Sequence, residues 1–349
     1  MFTQSRNNLI SIGQFAKFLS LGLVVSGALT SSVGAQTIED IIPDFTPEES
    51  RQLRDGFGRY TSFVTVFTSR NGASSGAFSA DGDAGDFSVM SVPISYTFGE
   101  DSDQLRFKLR SALGQYKSTS SASEFADVYT EIEPELPPEL QGLPNENDFL
   151  RNTANSLTLG GGFEYRPTKN LLIEPAFDFV WTHIKQRWNY GNIVSALVGA
   201  RYDRDLFNTS VESMSYSPSI HALYEIELGK GYALIPEVTY THLWSYDLWS
   251  KSEFGDFAID SGVLQTRVTG SIPLSNETFG RNVDLRPFVV RTDLYRAVKQ
   301  AFGESTLWDF GADIAVEIKD SWISELRLGG AYIYSDVIEG YRLNLGAEF

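Results

Sequence analysis

The chain has 349 residues, with 28 Lys and Arg against 45 Asp and Glu, and a formal net charge of -17. Because polyanions are bound by basic surfaces, this charge argues against nucleic acid as a partner. Cysteine is absent, which excludes disulfides, a thiol nucleophile and thiolate metal ligands. Aromatic residues make up 13% of the chain, a share that suits a transmembrane barrel with aromatic girdles better than a disulfide-stabilised secreted domain.

Residues 1–35 have the parts of a secretory signal peptide in the expected order. Arg6 and Lys17 are the only charges before the apolar run FLSLGLVVSGAL, and small residues ending in Ala35 follow it. The run is too short to span a bilayer, so we expect cleavage after Ala35 and a mature chain that starts at Gln36. Residues 36–58 are expected to form a periplasmic or lumenal segment that precedes the first strand.

A short helix is expected within this segment. The stretch TPEESRQLRDG places Thr46 at the cap, Pro47 at the first helical position, Glu49 where a capping box requires it, and Gly56 as a stop. A helix of about nine residues is too short to be stable alone in water. Leu53 is its only large apolar residue, so we expect a helix without an apolar stripe that rests against polar surroundings.

From residue 59 to residue 349 the sequence is a succession of segments in which apolar and polar residues alternate. The clearest segment, YALIPEVTYTHLWSYDL, has an apolar face with aromatic residues near both ends, as lipid-facing strands do. Carboxylates on the opposite faces would be costly in a dry core but not in a wet lumen. About twelve segments are found, and transmembrane barrels generally have an even number of strands. Their centres lie near Val64, Val92, Leu109, Leu159, Phe177, Ala222, Val238, Leu264, Val289, Ile314, Leu328 and Leu345.

The segments predict an all-β transmembrane fold, a closed antiparallel up-and-down β-barrel of about twelve strands. Short connections alternate with longer ones, which is typical of an outer-membrane barrel with short periplasmic turns. We therefore expect an outer-membrane location with both termini periplasmic, and a monomer, because closure removes the edges that would pair. The stretch GNIVSALVGARYDRDLF fits helical spacing and is interpreted as a helix in an outside loop, with a thirteenth strand as the alternative.

The sequence ends in YRLNLGAEF, in which every second residue is apolar. Tyr341, Leu343, Leu345 and Phe349 lie on one face of the expected last strand. This ending resembles the signal that the outer-membrane assembly machinery reads in barrels. A closing strand whose pattern reflects only lipid exposure is the alternative. The expected partners are therefore the barrel assembly machinery and the lipids and lipopolysaccharide of the outer membrane.

Two further stretches carry a narrower resemblance. LGGGFEYRPTKNLLIEPAFDFVW and YEIELGKGYALIPEVTYTHLW each have a strand, a tight turn and a returning strand with a Pro beside a Glu. They are similar to hairpins of the autotransporter translocator barrel, and the resemblance extends from about Tyr60 to Phe349. It implies twelve strands and a short lumenal helix. Only residues 36–59 precede the barrel and the last three residues lack a second aromatic, so the chain resembles the solitary, passenger-less barrels, for which no activity is implied.

No catalytic residue, cofactor or metal site is predicted. Gly72 to Gly76 match a nucleophile motif by letter but lie in a Gly/Ser-rich loop rather than between a strand and a helix. Asp81, Asp83 and Asp86 have the wrong spacing for a Ca²⁺ loop, so they indicate at most a weak divalent site.

The alternative function is an outer-leaflet lipid hydrolase of the phospholipase or lipid A deacylase type. Such enzymes are barrels with a His beside a Ser or carboxylate. His221 is expected to face the lumen with Ser217, Ser219 and Glu225 along its own strand, but no phospholipase motif surrounds it.

The expected lumen carries charges of both signs. The inward residues we predict to line the pore are Arg106, Lys108, Arg110, Glu164, Glu174, Asp178, Glu225, Glu227 and Glu237. Opposite charges on facing strands can pair and constrict a narrow pore, or select ions. The sequence therefore predicts a narrow or plugged pore, or a structural barrel. The charged helix either enters from the periplasmic side, meets these residues and plugs the barrel, or stays in the periplasm with no role in conduction.

Overall fold

The computed structural model describes residues 47–69, 73–80, 86–100, 103–121, 149–191, 208–250, 256–278, 281–318 and 325–348. Within these residues the helices are α1, Pro47–Ser69, and α2, Ala297–Phe302. The strands are β1 Ala73–Ala80, β2 Asp86–Phe98, β3 Leu105–Ser121, β4 Phe149–Thr168, β5 Leu171–Asn189, β6 Ser210–Tyr224, β7 Ile226–Gly229, β8 Tyr232–Ser250, β9 Ala258–Thr278, β10 Arg281–Arg296, β11 Thr306–Glu317, β12 Glu325–Tyr334 and β13 Ile338–Glu348. The expected signal peptide, the expected helix at 191–207 and Phe349 lie wholly or almost wholly outside the described residues.

The strands close into a barrel. Apart from β6 and β7, which do not pair with each other, each strand pairs antiparallel with its neighbours along the chain, and β1 pairs with β13. β6 and β7 both pair with β8 and occupy one position in the ring, interrupted at Glu225. The structure is therefore a closed antiparallel barrel of twelve strand positions, and the predicted fold class is confirmed.

Side chains alternate between the two faces of the barrel wall. On β13, Tyr341, Leu343 and Leu345 point outward and are 72%, 69% and 61% exposed. The same pattern on β2 exposes Ile94 and Tyr96. These residues belong to a band of large apolar side chains around the outside, which is the surface that lipid covers in a transmembrane barrel.

The connections divide the barrel into two ends. The links between β2 and β3, β4 and β5, β7 and β8, β9 and β10, and β11 and β12 are short and lie at what we call the turn end. Apart from the break at Glu225 between β6 and β7, the remaining links are mostly longer and lie at the opposite end, which we call the loop end. The predicted alternation of short and long connections is therefore present.

The helix and the first strand differ from the prediction. α1 has 23 residues and does not stop at Gly56. The strand expected near Val64 is wrong, because these residues are helical and the first strand is Ala73–Ala80. The run of β-branched and aromatic residues favours a strand locally, but burial of the helix inside the barrel outweighs that preference. Neither described helix is long and apolar enough to cross a membrane.

Candidate functional site

α1 lies inside the barrel and runs from the loop end toward the middle of the lumen. Gly58 lies against Phe257 in the β8–β9 connection, where an added Cβ would be 3.2 Å from the Phe257 side chain. Farther along, Thr65 Oγ1 lies 3.0 Å from Thr182 Oγ1 on β5. Thr68 lies against Gly114 on β3, and Ser69 borders a cavity with Arg110 and Asp178, which lie nearer the turn end on their strands. The N-terminal end of α1 therefore lies at the loop end.

In this direction the charged turns of the helix lie at the loop end, so the prediction that its charges meet the lumenal network is wrong. With the short turns in the periplasm, as expected, the helix enters from the outside rather than from the periplasmic side. The charged residues are in the first turns of α1, which extend about 16 Å from Gly58 at a rise of 1.5 Å per residue. Glu48 and Arg51 are exposed and pair with each other at 3.0 Å. The buried half of α1 carries aromatic residues instead, so its partner is an apolar pocket rather than a charged wall.

The aromatic face of α1 packs at the loop end of the lumen. Phe63 lies 4.8 Å from Phe67, 5.7 Å from Phe87, 5.9 Å from Tyr116 and 5.6 Å from Phe302 between ring centroids. Aromatic pairs at such distances contribute about 0.5–1.5 kcal/mol each beyond the burial of their area. The last ring belongs to α2, so a loop-end helix helps to hold α1 in the lumen.

Tyr60 lies on the same face and meets Tyr116 edge to face, with ring centroids 6.1 Å apart. Burial raises the pKa of the Tyr60 phenol well above its ordinary value of 10, and the neighbouring Tyr116 raises it further. The phenol therefore stays neutral, and this part of the lumen carries no charge from it.

The opposite face of α1 is lined by small polar residues. Thr61 Oγ1 donates to the Phe57 carbonyl at 2.8 Å, and Thr68 Oγ1 donates to the Val64 carbonyl at 2.8 Å. These internal bonds satisfy the hydroxyls, so the face can pack closely without water. Gly114 completes the fit, because a Cβ there would lie 2.5 Å from the Thr68 side chain.

Toward the turn end, six of the predicted pore-lining residues form one ion-pair network on β3, β4 and β5. The contacts are Arg106 Nη2 to Glu164 Oε2 at 2.6 Å, Lys108 Nζ to Glu164 Oε1 at 3.2 Å and to Glu174 Oε2 at 3.1 Å, and Arg110 Nη1 to Glu174 Oε1 at 3.1 Å and Nη2 to Asp178 Oδ2 at 2.5 Å. Cations and carboxylates alternate through the network, so its charges neutralise one another at close range.

Two glycines make this network possible. Gly160 on β4 stands between Arg110 on β3 and Asp178 on β5 in the strand register. A Cβ at Gly160 would collide with the Asp178 carboxylate. Gly162 stands in the same way beside Lys108, and its Cβ would lie 2.7 Å from the carbonyl oxygen of Pro175. The missing side chains let charges pair across an intervening strand.

A second set of ion pairs lines the wall from β8 to β13, and the sequence analysis missed most of it. The contacts are Arg267 Nη2 to Asp313 Oδ2 at 3.3 Å, Arg267 Nε to Glu237 Oε1 at 3.8 Å, Arg286 Nη2 to Glu325 Oε2 at 2.6 Å, and Arg342 Nη1 to Asp309 Oδ2 at 3.0 Å. Strand alternation places these arginines on the inward face, and this position is the sequence feature from which the pairs could have been predicted.

The remaining predicted pore-lining residues are separate from the first network. Glu237 joins the second set and also lies 3.5 Å from His221 Nε2. Glu225 and Glu227 are exposed near the turn end, where β6 is interrupted before β7. These two glutamates are exposed because the strand is interrupted there, and the alternation of residues in the sequence does not predict the interruption.

A cavity of about 220 Å³ lies between the end of α1 and the wall. It is bordered by Val66 and Ser69 of α1 and by wall residues that include Arg110, Asp178, Ser219, His221, Glu237 and Arg267. Arg110 Nη2 donates to Ser219 Oγ at 3.4 Å, so this hydroxyl is engaged by the network. The cavity is therefore polar and lumenal, and His221 faces it rather than the outside.

The described residues hold no group of three His, Asp or Glu side chains placed to bind a metal ion. Of the acidic run considered for a divalent cation, Asp81 and Asp83 lie outside the described residues. The predicted assembly-signal residues Tyr341, Leu343 and Leu345 lie on the outward face of β13, while Phe349 is not described.

The family model described as the solitary outer membrane autotransporter beta-barrel domain matches residues 83–345. The beta domain of the Bordetella autotransporter BrkA is 10% identical over 78% of this chain and 98% of that chain, with a TM-score of 0.46. The translocator domain of NalP from Neisseria meningitidis is 13% identical over 84% and 94%, with a TM-score of 0.46. The transport unit of AIDA-I from Escherichia coli is 10% identical over 85% and 99%, with a TM-score of 0.47. No curated protein matches the chain. Since the family model covers most of its length, the chain belongs to the solitary outer-membrane autotransporter β-barrel domains and is an outer-membrane protein.

Proposed function

We propose that the protein is a plugged outer-membrane barrel, a narrow pore that its own N-terminal helix keeps closed, with the loop end outside the cell. The observation that carries the proposal is the burial of α1 within the lumen. Phe63, Val64 and Thr65 are each 0% exposed, although they lie in the space through which a solute would pass.

The paired charges below α1 support the same function. Arg110 and Asp178 border the cavity under the helix on one side, and Arg267 and Glu237 border it on another. Each cation already has a carboxylate partner within 4 Å. A permeating ion would therefore have to compete with existing pairs, which favours a closed or narrow lumen over an open channel.

Removal of the helix tests the proposal directly. We compare the chain from Gln36 with a chain that starts at residue 70 by single-channel recording in planar bilayers. The truncated chain should conduct several-fold more, because the lumen then lacks the helix that fills it. A heat-dependent shift in gel mobility of both proteins serves as the folding control. Identical traces from two folded proteins would contradict the proposal.

A cross-link gives a second test that leaves the helix in place. The chain has no cysteine, and the hydroxyls of Thr65 and Thr182 lie 3.0 Å apart, so Thr65→Cys with Thr182→Cys should form a disulfide. The oxidised variant should stay closed at voltages at which the reduced variant opens. The matched control is Ser215→Cys with Ser245→Cys, whose hydroxyls lie 2.7 Å apart on β6 and β8. It ties wall to wall and should not change conductance.

The lipid hydrolase gains no support from the position of His221 in a lumenal cavity. Purified protein incubated with phospholipid and lipopolysaccharide, with and without Ca²⁺, should release no fatty acid. Release that is lost in His221→Ala would overturn the plugged-pore proposal in favour of an enzyme.

A further inference from the structure

The outward face of β3, β4 and β5 changes from apolar to polar near the loop end. Residues that pair across these strands form rows around the barrel. The last apolar row contains Leu113, Leu157 and Trp181, and the next contains Gln115, Asn155 and His183. Since the apolar band marks the hydrocarbon of the membrane, these polar rows lie at the level of the lipid headgroups.

The two rows beyond carry four exposed cations, which we call the basic cluster: Lys117, Arg151, Lys185 and Arg187. Lys117 and Lys185 are both register partners of Thr153, and Arg151 is the register partner of Arg187. Residues directly opposite each other, such as Arg151 and Arg187, have Cβ atoms about 4.5–5.5 Å apart, and diagonal neighbours, such as Arg151 and either lysine, about 7–8 Å. The two lysines lie on either side of β4, about 10 Å apart. Long cationic side chains at these spacings can reach a single ligand.

No carboxylate pairs with the basic cluster within the described part of the chain. The nearest acidic group in the adjoining polar row, Glu212, lies 3.3 Å from His183. Asp86, at the start of β2, is the register partner of Thr119 and forms no ion pair with another described residue. In contrast, Arg291 and Arg296, also at the loop end, are paired with Asp293 and Asp260.

An unneutralised cluster is unusual in a chain with a formal charge of -17. Like charges on facing positions of adjacent strands destabilise a sheet, so the cluster requires a counter-anion. Arg151 also lies over the ring of Phe149, at 5.5 Å from its centroid, which holds the guanidinium at the outward surface. Among the described residues no carboxylate neutralises these cations, so we place the anion outside the protein, at the height of the headgroups.

We propose that the basic cluster binds a lipid that bears phosphate monoesters, the chemistry of the lipid A part of lipopolysaccharide. A phosphate monoester carries about -1.5 to -2 charges near neutral pH and accepts several charge-assisted hydrogen bonds, so it matches four cations better than a singly charged phosphodiester does. Arg151 and Arg187 offer planar donors for bidentate contacts, and the lysines add charge in the row nearer the apolar band. The site rests on the loop end facing outward, and it does not depend on whether α1 closes the lumen.

Binding of defined lipids to the purified chain in detergent tests the site, with native mass spectrometry as the readout. The probes are bis-phosphorylated lipid A, dephosphorylated lipid A and phosphatidylglycerol. The fourfold variant carries Lys117→Gln, Arg151→Gln, Lys185→Gln and Arg187→Gln. Its affinity for bis-phosphorylated lipid A should fall by at least about tenfold, because its charge-assisted hydrogen bonds are lost. The control Arg291→Gln, Arg296→Gln removes two cations at the same end that are already paired, and should bind as the parent does.

A heat-dependent gel shift confirms that each variant is folded. Unchanged lipid A binding by the folded fourfold variant would overturn the site, and so would an equal loss in the control. Equal binding of dephosphorylated lipid A would show that the acyl chains, not the phosphates, are recognised. Equal binding of phosphatidylglycerol would assign the cluster to phospholipid and overturn the proposed ligand.

Discussion

At the scale of single residues, glycines decide which charges meet in the lumen. Gly160 leaves room for Arg110 and Asp178 to pair across β4. Gly329 repeats the arrangement on β12, where a Cβ would collide with the Asp313 carboxylate. The carboxylate there accepts a hydrogen bond from Asn344 Nδ2 at 3.2 Å, again across one strand. The inward position of these charges follows from strand alternation, but their pairing depends on a missing side chain on the strand between them.

We predict that Gly160→Ala breaks the pair between Arg110 and Asp178. The added methyl group would occupy the space of the carboxylate, and the free energy of unfolding should fall by about 2–4 kcal/mol, somewhat below the cost at a fully dry site. Urea unfolding in lipid, followed by gel mobility, measures the change. The control is Gly270→Ala, where the nearest atom to an added Cβ is 3.5 Å away. Equal stability of the two variants would contradict the role of Gly160.

At the scale of elements, α1 is longer and more apolar than the helix predicted from its capping residues. α1 has apolar residues at helical spacing in Leu53, Phe57, Tyr60, Val64 and Phe67, all of them buried. The same spacing can be seen in the sequence. However, the glycines at 56 and 58 indicate the end of a helix, and the β-branched run that follows favours a strand. Inside a closed wall, the backbone groups of a helix are satisfied within the helix itself, so a helix can fill the lumen where an unpaired strand could not.

We predict that β13 carries the assembly signal beyond its contact with lipid. Leu343→Ser with Leu345→Ser should reduce the amount of folded barrel in the outer membrane and increase degradation in the periplasm. Leu326→Ser with Leu328→Ser is the matched control, because Leu328 and Leu345 are register partners and are similarly exposed, at 63% and 61%. Quantitative blots of membrane fractions with and without heating measure the difference. Equal losses from both pairs would mean that the β13 pattern reflects only lipid exposure.

At the scale of the whole molecule, the ring of strands leaves no free sheet edge, which accounts for the expectation of a monomer. The short connections share one end with Leu345 and the last residues of β13, while the N-terminal end of α1 lies at the other. The molecule therefore presents the beginning of its helix and the long connections on the same side of the membrane.

This arrangement predicts which sites can be labelled on intact cells. An epitope inserted directly before Pro47, or between residues 130 and 140, should bind antibody without permeabilisation. The same epitope at the turn of Lys230 and Gly231 should be labelled only after the outer membrane is opened. Labelling at the turn but not at the other two sites would reverse the orientation of the barrel, and labelling at Pro47 only after permeabilisation would place the start of the helix in the periplasm.

Local sequence patterns were sufficient to predict the class of the protein. Strand alternation and the order of short and long connections depend on local patterns of two or a few residues, so they can be read without coordinates. The count of twelve segments included one near Val64 that is helical and lacked Ala73–Ala80. The same patterns also placed Arg106, Lys108, Arg110, Glu164, Glu174 and Asp178 on the inward face. The length of α1, the end from which it fills the lumen, and the pairing of each cation with its carboxylate could not be predicted in this way. Those features depend on contacts between residues far apart in the chain, such as Thr65 with Thr182 and Phe63 with Phe302, and no local pattern encodes them.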